Sequence, residues 1–351
     1  MKIVVLAGGI SPERNVSLSS GTRIAATLRD MGHEAALVDM YFGLEDYPGL
    51  EGKALYAAPI PVRWEKVSRQ APDLAAVRDS RRWRGKGEFG PGVLELCREA
   101  DLVFLALHGS CGEDGRVQAA FDLMGIPYTG TGSLGSALAM DKDLTKRLVK
   151  GLVNTPEWTT VTYTAEEVDG LAAAAPLPCV VKPVDSGSSI GVSIAHSREE
   201  LRTALLDGLE RGGRCVLERY IQGRDVQVGI LGGKALPAIE IRPAAGFYDY
   251  ENKYQAGAAE EICPAPITAE QAAEVSAAAE AVFAALGLGV YARADFILDG
   301  EGTFWFLEIN TLPGMTPTSL LPQEAAAVGM DYAALCGRIM DASLEARRQN
   351  K

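Results

Sequence analysis

Two carboxylates near the C-terminal end of the chain, Asp295 and Glu308, have the residue type and spacing of a metal site. They belong to two segments with alternating side chains, residues 293–298 and 303–309, whose Asp-Gly-Glu-Gly connection predicts an antiparallel hairpin. Diagonal cross-strand neighbours in a hairpin are about 7–8 Å apart, close enough for two carboxylates to share one or two divalent ions. Because Mg²⁺ prefers oxygen ligands and completes its octahedron with phosphates and water, the pattern predicts an Mg²⁺ or Mn²⁺ site that works on a phosphate substrate.

The hairpin must present these carboxylates together on one face. A pairing of Leu298 with Thr303 puts Arg293 opposite Glu308 and makes Asp295 the diagonal neighbour of Glu308. Period-two alternation then places four polar residues on one face: Arg293, Asp295, Glu308 and Asn310. The other face is expected to pack on a core and consists of Ala292, Ala294, Phe296, Leu298, Trp305, Leu307 and Ile309. A plain salt bridge between Arg293 and Glu308 is the alternative, but it does not account for Asn310 or for the Pro-Gly loop that follows.

A second chemical feature follows Lys182. Residues 185–191, Asp-Ser-Gly-Ser-Ser-Ile-Gly, form a segment of small residues directly after a short apolar strand. Exposed N–H groups in such a loop can cradle phosphate, while the lysine ammonium supplies a point charge. The segment is longer than a hairpin turn requires, so the phosphate loop is favoured over a plain turn.

The N-terminal region predicts an open parallel sheet with a ligand site at its carboxyl edge. An apolar strand over residues 2–7 ends in Gly8-Gly9 and precedes a helical pattern from about Val16, an arrangement that can bind an anion. The spacing does not match the G-x-G-x-x-G dinucleotide fingerprint, which disfavours a dehydrogenase. His108 follows another apolar strand and is expected near the Glu13 loop. Two interpretations of His108 are equally favoured at this stage: it contacts the substrate, or it is a loop histidine whose hydrogen bonds are satisfied within the protein.

Composition narrows the classes of partner and compartment. The chain has 351 residues, enough for two or three cores, and its net charge of −12 argues against a nucleic-acid or membrane-surface binder. Its six cysteines form no C-x-x-C pair and it has only three histidines, which disfavours structural zinc and fits reduced thiols in the cytoplasm. The sequence contains no run of eighteen apolar residues, so no membrane span is predicted.

The motifs R-x-D from Arg293, L-E-x-N from Leu307 and P-G-M-T from Pro313 resemble the C-terminal signature of the ATP-grasp ligases, in particular the D-alanine–D-alanine ligase family. The resemblance covers nearly the whole chain and implies a combined α/β and α+β fold with ATP-grasp architecture. Its parts would be an N-terminal open parallel-sheet domain over residues 1–135, a central ATP-grasp subdomain over 136–222 and a C-terminal subdomain over 223–351. The departures are Asp225 and Ser186, where the family usually has glutamate, and a longer segment over 41–92.

The resemblance also implies a role for each matching residue. The catalytic set would be Glu13, Ser188, Tyr254, Arg293, Gly314 and Ser319, with further substrate contacts from Val16, His108 and Leu320. ATP would be bound by Lys142, Lys182, Glu218, Tyr220, Ile221, Asp225, Phe247 and Lys253. Two Mg²⁺ or Mn²⁺ ions would be held by Asp295, Glu308 and Asn310.

The implied reaction joins two D-alanines through an acyl phosphate, at the expense of ATP, for peptidoglycan synthesis. Tyr254 and Leu320 fit the relatives that use D-alanine as second substrate. The alternatives are a variant ligase that takes D-serine or D-lactate and, from a different class, a nucleotide-binding regulatory protein without turnover. Arg293 argues against the latter, because a mere binder does not need an oxyanion group. The family also implies a cytoplasmic homodimer with small-molecule substrates and with neither nucleic-acid nor membrane partners.

Overall fold

A computed structural model of the chain describes residues 1–50, 53–68, 70–187, 189–243 and 259–349. The first region contains β1 (Lys2–Ala7), α1 (Arg14–Asp30), β2 (Glu34–Asp39) and β3 (Leu102–Leu105). These strands form a parallel sheet in the order β2-β1-β3, and β1 at its centre is buried beyond its first residue. Strands covered on both faces require continuous apolar runs, which is why the sequence pattern identified the parallel sheet correctly.

Segment 41–92 separates β2 from the rest of the first region. It contains the short helices α2 (Lys53–Tyr56) and α3 (Leu74–Ser80), and α4 (Val93–Glu99) follows it. The guanidinium of Arg81 lies 4.1 Å from the Tyr41 ring centre and 4.4 Å from that of Trp83. This arginine therefore packs within the segment.

The stretch from Ser133 to Val149 forms two helices rather than one continuous helix. After α5 (Arg116–Met124), the chain forms α6 (Ser133–Met140) and α7 (Lys142–Val149). Asp141 breaks the run with an extended backbone, and its carboxylate accepts a hydrogen bond from the N–H of Leu144 at 3.0 Å. This N-cap places Lys142 at the first position of a new helix, where its N–H donates to the carbonyl of Val184 at 3.0 Å.

The second sheet is antiparallel, with the order β4-β7-β5-β6. Its elements are β4 (Trp158–Thr162), α8 (Val168–Ala174), β5 (Cys179–Pro183), β6 (Ser193–Ala195), α9 (Arg198–Glu210) and β7 (Arg214–Arg219). The capping box of Ser197 and Glu200 begins α9. Strand β4, which was not predicted from the sequence, pairs with β7 at the sheet edge.

The third sheet has the order β11-β10-β8-β12-β13, with β9 also paired to β8. Its elements are β8 (Gly223–Leu231), β9 (Lys234–Ala235), β10 (Ile239–Pro243), β11 (Ala259–Ile262), α10 (Ala269–Ala285), β12 (Tyr291–Asp299) and β13 (Phe304–Asn310). Two helices follow, α11 (Leu320–Ala327) and α12 (Tyr332–Gln349). Leu312 and Met315, in the loop between β13 and α11, belong to the core of the first sheet together with Leu335 and Ile339 of α12, so this loop is held against the N-terminal region.

The register predicted for the β12–β13 hairpin is wrong by one residue, and the hairpin also contains a bulge. The N–H of Asp299 donates to the carbonyl of Thr303 at 3.0 Å, which leaves a three-residue turn with Gly302 at φ +89°. Leu298 consequently pairs with Phe304. The prediction that Trp305 and Leu307 pack in the core is also wrong, because the buried side chains of β13 include Phe304 and Phe306 instead, while Trp305 and Leu307 are half-buried.

Candidate active site

The predicted metal carboxylates, Asp295 and Glu308, are directly opposite each other in the β12–β13 ladder. Arg293 donates to both oxygens of Asp295, from Nε at 2.8 Å and from Nη2 at 2.9 Å. Asn310 lies on the same face, with its Nδ2 atom 3.5 Å from Asp295 Oδ2. The predicted polar face is therefore present, although its pairing differs from the expected diagonal arrangement.

These side chains fit a hard divalent cation. Two carboxylates and an amide offer oxygen ligands at neighbouring positions, and Lys142 Nζ lies 3.2 Å from Glu308 Oε2. Within the described part of the chain, no group of three or more His, Cys, Asp or Glu side chains forms a complete metal cage. A bound Mg²⁺ or Mn²⁺ would accordingly take further oxygens from phosphates and water, as Mg²⁺ usually does.

A cleft of about 440 Å³ separates the second and third sheets in front of these carboxylates. It brings together eight of the predicted site residues: Lys142, Lys182, Glu218, Tyr220, Ile221, Asp225, Asp295 and Glu308. Apolar side chains, including Val180, Ile194, Ile297 and Leu307, line the cleft as well. An apolar slot with lysines and carboxylates at one side can hold a flat base together with a phosphate chain.

Glu218 forms the centre of a buried charge cluster beside this cleft. Its carboxylate is 2% exposed and lies between Lys182, at 2.7 Å, and Lys146, at 2.5 Å. Burial raises the pKa of Glu218, but the two ammonium groups outweigh burial and hold that pKa below its usual value. Because one carboxylate faces two cations, the cluster retains a positive charge near the cleft.

Sequence reasoning missed Lys146. Burial lowers the pKa of this lysine to about 8, while Glu218 opposes that shift. Its ammonium also donates to the hydroxyl of Thr155 at 2.5 Å. The available signal was its spacing, since position i+4 after Lys142 lies on the same face of α7.

The loop after Lys182 contacts the N-terminal region through Gly187. The Lys142 ammonium donates to the carbonyl of Ser186 at 2.5 Å and so holds the start of the loop. A Cβ atom on Gly187 would lie 2.5 Å from Glu13 Oε2, and one on Gly109 would lie 2.9 Å from the same oxygen. The Glu13 carboxylate therefore lies against both backbones, and only glycine allows such an approach at Gly187.

Glu13 lines a second, smaller pocket. It is also lined by His108, Glu113, Arg293, Gly314, Ser319 and Leu320, and it shares Gln227 and Glu308 with the cleft. Its chemistry suits an amino acid, because the Glu13 carboxylate can bind an ammonium and the Arg293 guanidinium can bind an anionic oxygen. Val16 is buried in α1 and does not line this pocket within the described residues.

His108 is 5% exposed and uses both ring nitrogens within the protein. Its Nδ1 atom lies 2.9 Å from the carbonyl oxygen of Leu312, which can only accept, so Nδ1 carries the proton. Its Nε2 atom lies 3.2 Å from the hydroxyl of Ser20, which in turn accepts from the N–H of Met315 at 3.2 Å. Burial lowers the pKa of His108 to about 4, so a neutral imidazole ties the P-G-M-T loop to α1.

Glu113 is a second functional candidate that sequence reasoning missed. Its carboxyl group accepts from the N–H of Gly109 at 2.8 Å and from the N–H of Leu312 at 3.0 Å. Burial and the neighbouring Glu13 raise its pKa to about 8. The available signal was an acid following closely after the His108-Gly109 loop end.

The start of α11 also lines the pocket. Ser319 precedes this helix, and its hydroxyl accepts from the N–H of Thr316 at 2.9 Å. A Cβ on Gly314 would lie 2.7 Å from the Ser319 hydroxyl, so the Pro-Gly loop approaches the helix terminus closely. The positive end of the helix dipole here favours a carboxylate.

Four predicted site residues cannot be placed in this geometry. Ser188, Phe247, Lys253 and Tyr254 lie outside the residues that the structure describes. Their assignments remain predictions.

Comparison with known proteins gives concordant matches over both halves of the chain. The family model described as D-ala D-ala ligase N-terminus matches residues 2–131, and the one described as D-ala D-ala ligase C-terminus matches residues 151–341. The D-alanine–D-alanine ligase of Pediococcus pentosaceus is 40% identical over 344 residues, which cover 97% of this chain and 97% of that relative. The corresponding ligase of Lacticaseibacillus casei is 39% identical over 353 residues, covering 98% of this chain and 96% of the relative.

Solved structures agree with these relatives. The crystal structure of the D-alanine–D-alanine ligase from Bacillus anthracis complexed with ATP has a TM-score of 0.73 and 32% sequence identity, and the match covers 100% of this chain and 99% of that one. The ATP-grasp fold with a parallel N-terminal sheet, predicted from the sequence, is confirmed. Among the described helices, none is long and apolar enough to cross a membrane.

Proposed function

The chain belongs to the D-alanine–D-alanine ligase family, and from this premise we propose that it joins two D-alanines into D-alanyl-D-alanine, with ATP as co-substrate, for peptidoglycan precursor synthesis. The observation that carries this assignment is the junction of two sites. A pocket suited to an amino acid, lined by Glu13 and Ser319, shares Glu308 with a cleft suited to a nucleotide. An amino acid can thus lie beside the phosphate that must react with it.

The first step needs positioning rather than a protein nucleophile. The ammonium of the first D-alanine would pair with Glu13. The carboxylate of this D-alanine would attack the γ-phosphate of ATP, giving an acyl phosphate and ADP. Lys142 and Lys182 line the cleft and would neutralise charge on the phosphate oxygens. Asp295, Glu308 and Asn310 would hold Mg²⁺ or Mn²⁺, which supplies further charge neutralisation at the phosphates.

In the second step the amine of the second D-alanine, after losing a proton, attacks the acyl carbonyl, and phosphate leaves. Arg293 is oriented by its two hydrogen bonds to Asp295 and lines the pocket, so it would stabilise the developing oxyanion together with the N–H of Gly314. Ser319 and the N-terminus of α11 would hold the carboxylate of the second substrate.

D-Alanine is the second substrate that we favour. Leu320 is buried and lines the pocket, and an apolar side chain there suits a small substrate side chain. We also propose that the chain works in the cytoplasm as a homodimer, and that residues 1–135, 136–222 and 223–351 act as its three parts.

Phosphate release tests the proposal. The protein is supplied with ATP, Mg²⁺ and D-alanine alone, then with D-serine or D-lactate added, and products are resolved by mass. D-Alanyl-D-alanine as the main product in the mixtures supports the assignment. A mixed product as the main species would show a variant ligase, and ATP binding without D-alanine-stimulated phosphate release would show a non-catalytic nucleotide binder.

A further inference from the structure

The third sheet has a gap that a side chain fills. The ladder between β8 and β10 stops at Gln227, and the ladder between β8 and β9 starts at Ile230. Gly229 lies between them, and its N–H donates to Oε1 of Glu324 at 2.7 Å. Glu324 belongs to α11, so a helix side chain takes the position that a strand carbonyl would otherwise fill.

Glu324 is in an unusual environment for an acid. Its side chain is 0% exposed, and its second oxygen, Oε2, has no hydrogen-bond partner among the described residues. Burial raises its pKa to about 8, so the group is mainly neutral at pH 7. A buried acid with one oxygen unpartnered costs stability, and such a group in a folded protein calls for a functional reason.

The backbone at Gly229 is shaped to this contact. A Cβ on Gly229 would lie 2.6 Å from Glu324 Oε2 and 2.6 Å from Leu321 Cδ1. Any side chain at Gly229 would push α11 away from β8. Helix α11 therefore packs closely against β8 at Gly229, where an apolar contact and a hydrogen bond occur together.

The contact between Gly229 and Glu324 connects the two elements that carry Ser319 and Arg293. Gly229 lies directly opposite Arg293 in the β8–β12 ladder. Glu324 lies one to two turns along α11 from Ser319, and both Arg293 and Ser319 line the pocket. The single hydrogen bond from Gly229 to Glu324 thus ties the helix terminus at Ser319 to the strand that carries Arg293.

We propose that Glu324 is a positioning residue for the second D-alanine: by holding the Gly229 amide, it fixes the distance between Ser319, which binds the substrate carboxylate, and Arg293, which faces the reacting carbonyl. This inference rests on the proposed ligase function. It assigns to Glu324 an effect on the second D-alanine that should not extend to ATP or to the first D-alanine.

The test compares Glu324→Leu, Glu324→Gln and wild type. Initial rates over a range of D-alanine concentrations give a separate KM for each of the two D-alanines, and the KM for ATP is measured as well. Leucine leaves the Gly229 amide unpaired, so the KM for the second D-alanine should rise about tenfold, while the other two KM values stay within about twofold. Glutamine keeps a neutral oxygen acceptor and should restore the second KM to within about threefold of wild type.

Glu280→Ala is the matched control. Glu280, on α10, also accepts a strand N–H, that of Ala235 at 3.0 Å, but it lies outside the pocket lining. The loss of this similar contact should leave the second KM unchanged. An equal rise in Glu280→Ala would mean that general loosening of the sheet is responsible and would overturn the proposal.

Melting temperatures of all variants separate folding from positioning. If Glu324→Leu does not fold, Glu324→Asp, which is one methylene shorter, must show the selective rise instead. A wild-type second KM in the folded variant, a parallel rise of all three KM values, or failure of glutamine to rescue would each overturn the inference. Failure of wild type itself to make D-alanyl-D-alanine would instead refute the proposed function.

Discussion

Asp295 faces Glu308 directly across the β12–β13 ladder, while the next residue, Phe296, faces Phe306. Leu307 is thus the extra residue of a bulge, which turns its side chain toward the cleft. The bulge brings the two carboxylates closer than the diagonal arrangement predicted from the sequence, because directly opposed residues are nearer than diagonal ones.

Glu308→Gln should lower kcat at least about a hundredfold, because the neutral amide would bind less tightly the Mg²⁺ or Mn²⁺ ion that we propose neutralises phosphate charge. Mn²⁺ affinity, measured by electron paramagnetic resonance of the ion, should fall as well. Asp299→Asn is the matched control, since Asp299 lies in the same hairpin but bonds the turn and the Trp305 indole at 2.7 Å. Wild-type turnover in Glu308→Gln would remove the metal assignment.

Lys182→Met and Lys146→Met should have different effects, although both remove one ammonium from Glu218. Lys182 lines the cleft and Lys146 does not, so Lys182→Met should raise the KM for ATP about tenfold or more. Both variants should lower the free energy of unfolding, by about 3 kcal/mol, because each removes a partner of a buried carboxylate, but Lys146→Met should leave the KM for ATP near its wild-type value. Urea unfolding and ATP titration separate the two effects. A similar rise in the KM for ATP in both variants would contradict this division of roles.

His108→Asn should weaken the dependence of stability on acid pH. The pKa of His108 is about 4 in the folded chain, below the ordinary value of 6.5, so the unfolded chain binds more protons between these values. The contribution of His108 to stability is therefore lost as pH falls from about 6.5 to 4. Comparing melting temperatures of wild type and variant at pH 7.5 and pH 5 tests this point. A constant difference between the two proteins would refute the assigned neutral imidazole.

Gly187→Ala should raise the KM for the first D-alanine by about tenfold or more, because the added methyl would lie 2.5 Å from Glu13 Oε2 and displace either the loop or the carboxylate. The matched control is Gly170→Ala, since a Cβ on Gly170 meets no atom within 4 Å. Steady-state kinetics with varied D-alanine measures both variants. An unchanged KM in Gly187→Ala would show that this contact does not position the first substrate.

Elements that depend on local patterns could be predicted from the amino-acid sequence alone. Three such patterns involve residues close along the chain and can be recognised without a structure. They are the apolar run of β1, the capping box at Ser197 and the alternation that puts Asp295 and Glu308 on one face. Together with the ordered motifs, these patterns were also enough to predict the fold class and the family.

Other features of the fold and the site depend on tertiary packing. The bulge at Leu307, the buried pairing of Lys146 with Glu218, and the contact of Glu324 with Gly229 were not predicted, since each depends on chain segments brought together by packing. The break at Asp141 was likewise missed, because helix propensity around it does not show which N-cap the surrounding fold will select. Burial sets the pKa of His108, Glu113 and Glu324, and burial is a property of the folded chain.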